Sequence, residues 1–240
     1  MAISTEGHIV RRFDGDMNNL HLLVLEMAGL VKTQAQMAIE SLFNKDLNKA
    51  HAVIKRDMEV NQLEKKIDEQ VVAVLARRCP VAQDLRVVIA ISKVVTDLER
   101  IGDEASRIAE ISLSIYESEG SDPSSQMFHD ANRMGSLVNG MLTETMAALD
   151  CLDEKMAQAV LNGHGESEFS AEFRSGFRRL ATFIMEDHRN VGHAINIVLV
   201  CKALERIGEH SRNIAEFLIY MVKGVDIRHG SRETGVTAKA

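Results

Sequence analysis

Between Met17 and about Phe43, the apolar residues Leu20, Val24, Met27, Leu30, Val31, Met37 and Leu42 recur mostly at three- and four-residue steps. That spacing lines them along one side of an amphipathic α-helix. A second stripe, Val53, Val60, Leu63, Ile67, Val71, Val74 and Leu75, predicts a second helix. Asn44 and Asp46 supply the turn and N-cap oxygens before it, and Cys79-Pro80 ends it. Beyond that proline a third helix is expected from about Gln83 to Tyr116, with Leu85, Val88, Ile91, Val95, Leu98, Gly102, Ala105 and Ile108 on its buried side. Three such stripes close a bundle.

The segment Glu117 to Ser125 (ESEGSDPSS) gathers Gly, Pro, Ser and Asp between two periodic regions and divides the chain into near-equal halves. The pattern then restarts. One helix is expected from about Ser125 through Met134, Leu137, Met141 and Leu149, another from Asp153 through Phe169, Phe173 and Leu180, and a last one from about Asn190 to Val222. The predicted fold is all-α, two pseudo-repeated three-helix bundles with six helices. Its parts are an N-terminal segment (1–16), a first repeat (17–118), a linker (119–125), a second repeat (126–225) and an aperiodic tail (226–240).

Composition agrees with a helical core. Hydrophobic residues make up 45% and charged residues 26%, a globular balance, and with aromatics at 4% and no Trp the interior falls to Leu, Ile, Val, Ala and Met. Two prolines leave long stretches without the residue that most reliably breaks a helix. The net charge of −7 offers no global positive field for nucleic acid or anionic lipid. Cys79, Cys151 and Cys201 are odd in number and follow no CxxC spacing, which describes neither a disulfide framework nor a zinc site and fits a reducing cytosol. The N-terminus lacks a signal-peptide core, and no uninterrupted apolar run approaches the roughly 18 residues of a membrane span, so a cytoplasmic protein is expected.

One internal repeat is the most informative feature. Leu98-Glu-Arg-Ile-Gly102 recurs as Leu204-Glu-Arg-Ile-Gly208, and Ile108-Ala-Glu110 recurs in register as Ile214-Ala-Glu216. Duplication explains this better than chance likeness of helical sequences. Within the motif Glu99 and Asp103 stand one turn apart on one face, as do Glu205 and Glu209. Glu110 extends the first row, and Asn213 and Glu216 extend the second. Like charges at this spacing destabilise a helix by a few tenths of a kcal/mol per pair, roughly, unless a cation neutralises them.

The second helix carries its own row, Asp57, Asn61, Glu64 and Asp68, at steps of four, three and four. Both rows flank their apolar arcs, so packed as neighbours they would bring oxygen donors together around hard cations such as Mg, Mn or Fe. The bland alternative is a pair of solvated flanks with salt bridges to Lys65, Lys66, Arg100 and Arg107. Duplication and the independent second row favour the metal reading. Gly102 and Gly208 support it, since a glycine inside a helix costs about 1 kcal/mol and calls for a packing reason such as close helix approach. No Glu-x-x-His pair of the di-iron type, phosphate loop or nucleophile elbow is present, and His210 is the histidine worth watching. A metal-dependent hydrolase or metal-storage bundle remains the alternative reading, with no catalysis expected.

The sequence resembles the PhoU family of regulators that accompany the high-affinity bacterial phosphate transporter. Ala76 to Arg86 (ARRCPVAQDLR) is similar to the family's ARRQPxAxDLR, and Asp97 to Ala105 (DLERIGDEA) to its ERIGD signature. FIMEDHR from Phe183, LERIGEHSRNIAE from Leu204 and KGVDIRH from Lys223 resemble family blocks in the same order. The resemblance implies paired three-helix bundles whose E(D)xxxD motifs hold metal ions, matched here by Glu99, Asp103 and Glu205. It also implies an adaptor that contacts a sensor histidine kinase and the transporter's ATPase subunit, restrains the phosphate-starvation response when phosphate is plentiful, and forms a homodimer. Three positions depart from the pattern: Glu209 stands for the usual Asp, His188 for a proline, and Glu166 with Ser170 where two aspartates are usual.

Overall fold

The computed structural model describes residues 11–117, 123–163 and 166–227. The first half folds as α1 (Arg11–Asn44), α2 (Leu47–Arg78) and α3 (Ala82–Tyr116). Asp46 caps α2 by accepting from the Lys49 N–H. At the other end Cys79 takes a left-handed conformation and returns its N–H to the Leu75 carbonyl, so the chain turns just before Pro80. The first helix starts earlier than its apolar stripe suggests, at Arg11 rather than near Met17, because Phe13 is also drawn into the core.

The second half comprises α4 (His129–Cys151), α5 (Glu154–Gly163), α6 (Glu166–Glu186), a 3₁₀ turn (His188–Asn190) and α7 (Val191–Lys223). The region expected as one helix from Asp153 through Leu180 is helical on both sides of residues 164–165, which lie outside the described residues. Asp153 caps α5, accepting from the N–H groups of Lys155 and Met156. α4 begins after a turn at 125–128 rather than at Ser125. Residues 1–10, 118–122 and 228–240, which hold most of the expected N-terminal segment, linker and tail, lie outside the described residues.

α1, α2 and α3 pack on one another, and α4 and α7 form the frame on which α5 and α6 sit. The halves are not separate bodies. α3 packs along α7 and α1 touches α4, so that one continuous apolar core runs through both. Leu98 and Leu204, the leading residues of the two LERIG motifs, are both fully buried. Truncating either to Ala would cost about 2–5 kcal/mol. Leu85 departs from its expected burial and is 40% exposed.

Contacts between α3 and α7 fix their relative direction. Asp97 meets His210 and Asn213, Glu104 meets Arg206, and Arg86 lies against Gly224, so rising numbers on one helix face falling numbers on the other. Gly224 caps α7 at a left-handed φ of 76°, and the Arg86 guanidinium occupies the space where a side chain would project. Phe13–Asn44 is apolar and long enough to cross a membrane by length and composition. Its Leu20, Met27, Val31 and Leu42 are instead buried as the core of the first bundle.

Candidate functional site

The carboxylate rows of α2 and α3 face each other. Glu99 is held by burial and by the nearby charges of Asp103 and Glu64 well above the usual carboxylate range, at about 7. Burial raises Glu64 as well, helped by Asp68 and Asp103, and burial followed by the charge of Asp57 raises Asp103. These mutual influences put Asp57, Glu64, Asp68, Glu99 and Asp103 on one surface spanning two helices. Arg100 is the cation closest to their charge. Its distances to Glu99 and Asp103, 3.5 and 3.7 Å, exceed the roughly 2.7–2.9 Å of a charge-assisted hydrogen bond.

One acid in the row is firmly positioned. Asp57 Oδ1 accepts from Ser106 Oγ of α3 at 3.1 Å and from Gln34 Nε2 of α1 at 3.4 Å, while Asn61 Nδ2 donates to Oδ2 at 3.2 Å. Gln34 is fully buried and also donates to Ser106 Oγ at 3.0 Å. Its presence inside the apolar stripe of α1, between Val31 and Ala35, was the available sequence signal for this node. Gly102 lies beside it: an added methyl would touch Gln34 Oε1 and Val60 Cγ1 at 3.4 Å. The glycine thus marks a close helix approach that still leaves room for one methyl.

Glu110 is exposed, one turn beyond Ser106, and borders a cleft of about 620 Å³ together with Asp57 and Asp103. The opposite wall comes from α7. There Arg206 Nη1 donates to Glu104 Oε1 at 2.6 Å, and His210 Nδ1 lies 2.8 Å from Asp97 Oδ1, which also accepts from Asn213 Nδ2 at 3.1 Å. Asp97 and Glu104 are buried acids on the α7-facing side of α3, invisible to periodicity because their partners are more than 100 residues away.

The second LERIG motif has different company. Glu205 forms an ion pair with Lys202 of its own helix, Glu209 is exposed, Asn213 turns to Asp97, and Glu216 is half-buried. The side chains of Glu166 and Ser170, the other half of the comparison, lie outside the described residues.

Among the described residues no three carboxylate, imidazole or thiol groups close into a metal-holding cage. The first-half seam is an open row of hard oxygen donors, partly withdrawn from water, whose charges oppose one another. That donor set fits a hard divalent or trivalent cation and offers nothing to a soft one.

Comparison with known proteins agrees with the duplicated architecture. The family model described as the PhoU domain matches twice, over residues 24–112 and 131–218. The chain belongs to the PhoU family. Among curated PhoU relatives, the phosphate-specific transport system accessory protein PhoU homolog of Pseudomonas aeruginosa is 40% identical over 222 residues, covering 92% of this chain and 90% of that protein. The Escherichia coli (strain K12) accessory protein PhoU is 32% identical over 228 residues, covering 95% and 92%. The crystal structure of PhoU from Pseudomonas aeruginosa superposes with a TM-score of 0.83 at 39% identity, covering 89% of this chain and all of that one. The phosphate transport system regulatory protein PhoU from Streptococcus pneumoniae gives 0.78 at 25% identity, covering 90% and 99%.

Proposed function

We propose that this PhoU-family chain is a cytoplasmic, phosphate-dependent regulatory adaptor. It negatively regulates the phosphate-starvation response and modulates a high-affinity phosphate ABC transporter, acting through surfaces rather than catalysis. Its partners in this reading are a sensor histidine kinase, the transporter's ATPase subunit and a second copy of itself. The observation that carries the reading is the convergence of Glu99 and Asp103 with Asp57 and Glu64, in a chain whose relatives are named as accessory proteins of phosphate-specific transport.

Glu64, Glu99 and Asp103 would hold Mg, Mn or Fe, with Asp57 kept in place by Gln34, Ser106 and Asn61. A bound cation supplies positive charge that lets the facing acids remain ionised together. The protein's own residues then present a defined charged surface to a partner, and Arg100 and Arg107 lie beside it. Deleting the gene should switch on a phosphate-starvation reporter in phosphate-rich medium, and tagged protein should recover the kinase and the transporter ATPase from cells. A silent reporter together with recovery of neither partner would refute the adaptor role.

A further inference from the structure

Hydroxyl side chains within these helices share a habit. Thr33, Thr96, Thr145 and Ser211, among others, each donate to the backbone carbonyl four residues back. Ser106 departs from it. The carbonyl four residues before it, that of Gly102, is approached by Gln34 Nε2 at 3.5 Å, and Ser106 Oγ donates across the helix interface to Asp57 Oδ1 at 3.1 Å.

Gln34 accounts for the difference. Its Nε2 donates to Ser106 Oγ at 3.0 Å, which engages the oxygen as an acceptor and leaves the hydroxyl proton for Asp57. The amide is fully buried, and its Oε1 has no hydrogen-bond partner. An apolar side chain of similar length would fill this place without stranding an acceptor, so packing does not explain a glutamine here and the donors on Nε2 do. In the second half the residue in register with Ser106 is Arg212, which donates to the Leu161 carbonyl. The relay belongs to the first half alone.

Its consequence falls on Asp57. An ionised carboxylate has about four lone-pair positions. Ser106 and Gln34 take both positions on Oδ1, and Asn61 takes one on Oδ2. Asp57 therefore has one oxygen to offer a cation and not two.

We infer that Gln34 is a positioning residue which, through Ser106, restricts Asp57 to single-oxygen ligation and so tilts the seam toward Mg²⁺ and away from Ca²⁺. The inference rests on the metal reading above. Ca²⁺ takes roughly six to eight oxygens in flexible geometry and readily uses both oxygens of one carboxylate, whereas Mg²⁺ demands near-octahedral geometry and keeps several waters. Withholding an oxygen in a fixed carboxylate penalises Ca²⁺ and costs Mg²⁺ little.

Calorimetric titration of the metal-stripped full chain with MgCl₂ and with CaCl₂ gives the ratio of the two affinities, and urea midpoints on the same samples report folding. Ser106→Ala and Gln34→Met are each expected to shift that ratio at least tenfold toward Ca²⁺, and the double variant at least as far as either. Ser106→Thr, which keeps the hydroxyl, should retain the wild-type ratio. Alanine suits a helix and Ser106 is only half-buried, so Ser106→Ala carries the test even where Gln34→Met does not fold. A purely structural node would lower the urea midpoints and weaken both ions together; a ratio unmoved by Ser106→Ala therefore overturns the positioning role and leaves the seam standing. Failure of the wild type to bind either ion overturns the seam, and the positioning role with it.

Discussion

The two halves carry the same pentapeptide on equivalent helices but set it in different surroundings. In the first, Glu99 and Asp103 look across to Asp57 and Glu64, and burial with mutual repulsion leaves Glu99 titrating near neutrality. In the second, Glu205 is tied to Lys202, Asn213 has turned to Asp97, and Glu209 stands in solvent. Duplicated sequence therefore does not guarantee a duplicated site. What an acid can do is decided by its neighbours: Asp57 and Glu64 of α2 act on Asp103 and Glu99, whereas Glu205 is paired with a lysine of its own helix.

The sharpest way to break this contrast is metal content. Glu99→Gln/Asp103→Asn is expected to lose its tightly bound Mg, Mn or Fe, with affinity falling by more than the roughly 10–100-fold typical of removing an outer-shell partner. Glu205→Gln/Glu209→Gln should lose less. Elemental analysis after gel filtration compares them, and equal losses would mean the two motifs are equivalent after all.

Next in size is the polar ladder that joins the halves. Arg206→Ala strips Glu104 of its one partner, and the buried charge left behind should cost stability toward the lower end of about 3–5 kcal/mol, since Arg206 is itself half exposed. Asp97→Ala, which orphans His210 and Asn213, should cost about 1–3 kcal/mol. Urea midpoints read both, and unchanged midpoints would show the ladder to be inert.

A smaller effect concerns pH in metal-free protein. Glu99 has a folded pKa raised from 4.5 to about 7, so the folded state holds its proton more tightly than the unfolded chain. The stability associated with that proton is fully present below 4.5 and disappears as pH rises through about 7. Thermal scans of the wild type should therefore show a decline over this window that Glu99→Gln lacks, and added Mg²⁺ should diminish it. Identical pH profiles for the two proteins would count against the charge repulsion.

Asp187 provides the smallest and opposite change. Hydrogen bonds from the Arg189 side chain and N–H hold this exposed carboxylate down to about 2. Its contribution is present above 3.8 and lost as pH falls through about 2. Asp187→Asn should therefore alter acid unfolding slightly and metal content not at all.

Much of this arrangement was legible beforehand, and the exceptions have physical reasons. The first three helices follow from unbroken apolar stripes ended by Asp46 and Pro80, signals that act within a few residues. The facing rows on α2 and α3 could be read because helical geometry converts spacing directly into direction. Asp97 and Glu104 escaped because each sits next to core residues, Leu98 and Ala105, and its partner comes from the antiparallel approach of α7, which no local pattern encodes.

That approach also determines how the molecule can be divided. Because Asp97, Glu104 and Arg86 of one half are completed by His210, Arg206 and Gly224 of the other, cutting the chain between Glu117 and Pro123 would leave two fragments with complementary faces. Neither fragment alone covers the helix it offers. Mixed together, they have the charge register to find each other again, so a severed molecule should reassemble as a noncovalent heterodimer and serve as a split reporter.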